Sequence, residues 1–88
     1  MNNNNLFSIK SSVQLQFVNS QYRDMAYNSF LVEIKKLQTK RSKVAMEKSN
    51  NLLKFDIECT DITAFRASIS DIIGLGKIIE STIKLSNQ

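Results

Sequence analysis

The sequence predicts a two-layer α/β sandwich of the α+β kind, ordered β-α-β-β-α, with a three-stranded antiparallel sheet and two helices on one face. Three patterns predict it. Apolar and polar residues alternate in three runs, apolar residues recur every three to four positions in two others, and an Asn-Asn step joins two of the alternating runs. The 88 residues contain no proline and no internal linker, so residues 6–88 read as one domain behind an Asn-rich tail, residues 1–5, that is expected to be disordered.

The first run places Phe7, Ile9, Val13, Leu15 and Phe17 on one side and Ser8, Lys10, Ser12, Gln14 and Gln16 on the other, a strand with one wet face. A helix follows. In "NSQYRDMAYNSFLVEIKKLQ", Ala26, Tyr27, Phe30, Ile34 and Leu37 fall at helical spacing, with Asn19 or Ser20 as the N-cap. Val44 and Met46 begin the second strand's apolar face, and Leu53, Phe55, Ile57 and Cys59 make that of the third. A two-residue loop at Asn50-Asn51 makes paired positions sum to 101. That register sets Met46 opposite Phe55 and Val44 opposite Ile57, while Glu47 meets Lys54 and Lys43 meets Glu58. Both faces agree with it.

The last helix starts after Thr60 or Asp61 and carries Ile62, Phe65, Ile69, Ile72, Gly76, Ile79 and Ile83 toward the core. A strand order of 1-3-2 makes every neighbouring pair antiparallel.

Composition narrows the function. The absence of histidine excludes Ser-His and Cys-His nucleophile pairs and the usual zinc sites, and one cysteine, Cys59, excludes an internal disulfide. Cys59 ends an apolar strand face and is expected to be a small buried hydrophobe. Asp61 and Asp71 lie on or near a helix surface with no acid or base set beside them by the sequence. No catalytic, cofactor or metal site is expected. No signal peptide or membrane-length apolar run is present in the sequence, so a cytoplasmic protein away from membranes is the expectation. A net charge of +4 is compatible with a polyanionic partner, and five of the nine residues from Lys35 to Lys43 are basic. That cluster reads first as cations at a helix C-terminus, and second as a phosphate-contacting patch. No RNP-type aromatic pattern and no G-x-x-G loop accompanies it, although the layout is similar to that of KH domains.

The "GLGK" step, Gly74 to Lys77, is not a phosphate loop, because it lies inside a helical periodicity that continues past it. On a helical wheel centred on Gly76, Leu75, Ile78 and Leu85 point away from the core positions and share their side with Ala64, Ala67, Ser68 and Gly74. In the first helix Met25 and Val32 lie nearly opposite Phe30. Matched outward apolar and small residues on two helices mark an interface with another helix, formed by Met25, Val32, Gly74, Leu75, Ile78 and Leu85. The edge strands invite a second chain to continue the sheet.

A resemblance sharpens this reading. "RSKVAME" in one strand, "LLKFDIECTD" in the next and "ITAFRASISDII" opening the long helix resemble the small dimerisation subunit of the KEOPS (EKC) complex, the CTAG-type family, from about Leu6 to Leu85. "RSKV" and the run of Asp61, Ala64, Arg66, Ala67 and Ser68 carry most of it. The resemblance implies a non-catalytic subunit of the machine that makes threonylcarbamoyl-adenosine at position 37 of tRNAs decoding ANN codons. It implies helices that pack on the catalytic transferase subunit, and sheet-edge pairing into a homodimer or a heterodimer with a related small subunit. It also implies indirect contact with tRNA, for which Arg41, Lys43 and Arg66 are the candidate positions by analogy. Gly74 and Gly76 depart from the family, whose members often carry a large or basic residue there, so the principal subunit and a diverged paralogue both fit.

Overall fold

In a computed structural model the described residues are 9–86, with side-chain environments described from 9 to 80. The Asn-rich tail, Phe7, and the side chains of Ile83 and Leu85 lie outside them. The order is β1 (Ile9–Gln16), α1 (Ser20–Lys36), β2 (Ser42–Ser49), β3 (Leu52–Cys59) and α2 (Ile62–Ser86), and the sheet runs β1-β3-β2 with both pairs antiparallel.

The hairpin register is the one the side chains demand. Val44 pairs with Ile57 and Met46 with Phe55, and Asn50, the first of the two loop residues, takes a positive φ of 53° that Asn tolerates better than most. Central β3 carries the core: Leu53, Phe55, Ile57 and Cys59 are buried, whereas Ile9, Val13 and Leu15 on edge strand β1 are half-buried. Alternation does the rest, leaving Lys10, Ser12 and Gln14 exposed on the far face.

Each helix starts on a side-chain cap. Asn19 Oδ1 accepts from Tyr22 N at 2.9 Å, and Asp61 Oδ1 accepts from Ala64 N at 2.8 Å, so of the two candidate caps in each place Asn19 and Asp61 are the ones used. Ala26 and Phe30 of α1 and Ile72 and Ile79 of α2 are buried on the sheet, with Phe30 edge-on to Phe55 at a centroid distance of 4.8 Å. The Cys59 thiol, buried as expected, donates to Ser42 Oγ at 3.5 Å. Arg23 fastens the start of α1 to the hairpin by donating to Asn50 O, and Lys48 lies 4.5 Å from the Tyr27 ring centroid.

Three expectations about α2 change. Ala64 and Ser68, placed on the outward side by the wheel, are buried at 8% and 4% exposure, and Leu75 is half-buried and packs on the core. Ile62, expected in the core, is exposed. The reason is one of orientation. Fully buried Ile72, not Gly76, lies at the centre of the inward face, so that face is turned by part of a helical step toward α1, and Ile62 rides up onto the opposite flank.

Candidate interaction surfaces

The two glycines differ as the wheel predicts. A Cβ on Gly76 would meet Leu15 Cδ1 at 3.4 Å, so this residue lets α2 settle onto β1, whereas a Cβ on Gly74 would meet nothing within 4 Å. Gly74 opens instead into a groove of about 390 Å³ between α1 and α2, walled by Phe30, Glu33, Lys36 and Leu37 on one side and by Asp71, Leu75 and Ile78 on the other. Ile78 stands 64% exposed on its rim.

Of the six interface candidates, the structure brings Gly74, Leu75 and Ile78 together along this groove. Met25 and Val32 are exposed, as expected, but lie outside its lining on the outer side of α1, and the side chain of Leu85 lies outside the described residues. Sequence reasoning missed Leu31 and Ile73, both exposed. Each follows or precedes another apolar residue, Val32 or Ile72, and consecutive residues point about 100° apart, so one of each pair is turned away from the centre of the buried face.

The basic candidates fall on a loop, a strand and a helix. Arg41, in the loop before β2, grips Asp61 with Nη2 at 2.6 Å from Oδ1 and Nε at 2.9 Å from Oδ2. Lys43 is on the sheet face opposite the helices, and Arg66 is exposed on α2. Lys36 pairs with Glu33 at 3.4 Å and, with Lys35, ends α1, so part of the basic stretch serves the helix C-terminus. Asp61 therefore does have a basic partner, contrary to the expectation from sequence, and its work is to cap α2 and to anchor the β2 loop.

The Arg41 guanidinium, then the Ala64 N–H, lowers the Asp61 pKa from 3.8 to about 2. A carboxylate whose folded pKa lies below its unfolded one adds stability that is fully present above about pH 4 and fades as pH falls toward about 2. Asp24, held below the ordinary value by the hydrogen bond from Arg23, acts in the same direction. Asp61→Asn keeps a capping oxygen but cannot ionise. Acid titration followed by circular dichroism should show a flatter loss of stability for this variant between pH 4 and 2, and an acid limb identical to wild type would refute the assignment.

Comparison with known proteins bears on this arrangement. The profile of a family described as "Transcription factor Pcc1" matches residues 10–84, which takes in all five elements but for Ile9 of β1 and the last two residues of α2. The chain belongs to the Pcc1 family. This agrees with the resemblance to the small KEOPS subunits and makes the protein a Pcc1-type KEOPS subunit. A chain of the "binary complex Gon7-Pcc1", solved by crystallography, superposes with a TM-score of 0.77 at 16% identity, covering 90% of this chain and 96% of that one. At that identity the likeness is one of fold. No match is found among curated proteins.

Proposed function

We propose that this Pcc1-family chain is a non-catalytic assembly subunit of KEOPS, supporting threonylcarbamoyl-adenosine formation at tRNA position 37 by receiving a helix of the catalytic transferase subunit in its α1–α2 groove. A sheet edge pairs with a second copy or a related small subunit, and tRNA is engaged through the assembly. The observation that carries the reading is the groove itself. It combines an open backbone notch at Gly74 with an exposed isoleucine on the rim, at the spacing by which helices pack into one another.

The test is capture of the transferase subunit by the full chain. Ile78→Asp puts a charge on the apolar rim, and Gly74→Leu fills the notch. Each should weaken capture at least about tenfold. Neither should lower the thermal midpoint, because Ile78 is mostly exposed, a Cβ at 74 meets nothing within 4 Å, and leucine favours the helix over glycine. Wild-type capture by both variants would refute the groove as the docking site. A stand-alone KH-like nucleic-acid-binding module would instead show RNA binding by the isolated chain that falls steeply with salt. Arg41 is committed to Asp61, and Lys43 lies on the sheet face opposite the helix that carries Arg66, which weighs against that second reading.

A further inference from the structure

The outer edge of β2 is occupied at its first residues, Ser42 and Val44. Gln38, just after α1, lays its amide along Val44: Nε2 donates to Val44 O at 2.5 Å and to Ile34 O at 3.1 Å, while Oε1 accepts from Val44 N at 3.2 Å. Two residues earlier on the strand, Ser42 O accepts from Thr39 N at 2.9 Å. The side chain does here what a neighbouring strand would do.

Antiparallel geometry shows why these groups are available. Residues of an edge strand bond inward and outward in alternation. The two-residue loop makes Ser49 and Leu52 an inward-bonded pair, so Glu47, Ala45 and Lys43 also bond inward, and Met46, Val44 and Ser42 turn their backbone groups outward. Arg41 O, accepting from Thr60 N at 2.9 Å, fits the same alternation. Counting across β3, which spends its remaining groups on β1, leaves Lys10, Ser12, Gln14 and Gln16 as the outward residues of β1. No hydrogen bond between described residues reaches their outward groups.

We propose that Gln38 is a plug that closes the β2 edge, so that another chain can continue the sheet only at β1 and growth stops at two chains. This rests on the sheet-edge pairing proposed above. A sheet open at both edges can add chains indefinitely, whereas one open edge pairs with its own copy about a two-fold axis, or with one related chain, and is then used up. The flank of α2 away from α1 fits a partner on the β1 side. Ile62 and Ile73 are 53% and 42% exposed there, next to half-buried Ile69, and Gly76 brings this part of the helix against Leu15 of β1.

Amide hydrogen exchange on the wild-type chain tests the plug without any variant. The backbone N–H groups of Val44 and Met46 both turn to the open edge, so that of Val44 should exchange at least about tenfold more slowly than that of Met46, and equal rates would overturn the plug. Light scattering across a concentration series tests its consequence. Wild type should not exceed twice the monomer mass, and Gln38→Ala should grow beyond two chains as concentration rises. If Gln38→Ala frees the Val44 amide yet matches the wild-type mass throughout, the proposed role is wrong. If wild type stays a single chain, the pairing reading fails, and the plug is then judged by whether Gln38→Ala alone gains a second chain.

Discussion

Phe55→Ala is expected to remove about 3 to 5 kcal/mol of folding stability, the range for truncating a fully buried phenylalanine. Phe55 is fully buried in the middle of the central strand, between Val13 and Met46 in register, and meets Phe30 edge-on. It therefore joins both edge strands to α1, and alanine leaves a cavity that no neighbour can fill without moving a strand. An 88-residue domain carries in total roughly 4 to 13 kcal/mol, so the loss is a large share of the whole. Urea titration should show a midpoint shifted far down with little change in slope. Val32→Ala, on the outer side of α1, should stay within about 0.5 kcal/mol of wild type in the same titration. A loss below 1 kcal/mol for Phe55→Ala would mean that the core is not organised around this ring.

The contrast between these two residues explains what the sequence made legible. Strand faces have a period of two, so a misplacement by one residue turns every side chain over. Met46, Phe55, Val44 and Ile57 on one face and Lys43, Glu58, Glu47 and Lys54 on the other therefore admitted a single register, and β2 and β3 pair in it. A helix is more forgiving. Each residue turns it by roughly 100°, apolar residues are spread around α2, and a modest shift of the centre exchanges Ile62 for Ala64 and Ser68 while the helix itself remains correctly placed. The groove was partly readable for that reason. Gly74 and Ile78 are far enough from the core side to stay outward, whereas Leu75 lines the groove while also packing on the core. The contacts that the sequence could not supply join residues distant along the chain through polar atoms. Arg41 meets Asp61 twenty residues on, and Gln38 meets Val44 backbone atoms across a turn, with no periodicity to announce either.

Gln14→Pro is expected to separate the paired chains while leaving each of them folded. Gln14 is one of the outward residues of β1 by the alternation that Ser49 and Leu52 establish, so its N–H is not part of the ladder to β3 and its loss leaves that ladder intact. Proline also biases the preceding residue toward extended backbone, which Val13 already adopts within β1. Toward a second chain the change is severe, because the ring removes a donor at the centre of the edge and fills the space an incoming carbonyl needs. Pairing should weaken by at least about tenfold, read as a light-scattering mass that falls from two chains to one over the same concentration range. Val13→Pro is the informative contrast, since Val13 bonds inward to Phe55 and packs on the core. Proline there should unfold the domain rather than merely separate it. Capture of the transferase subunit divides the outcomes further, because the α1–α2 groove lies on the helix layer and not along β1. A Gln14→Pro chain that is single, folded and still captured would separate the two surfaces physically. If Gln14→Pro keeps the wild-type mass, β1 is not the pairing edge.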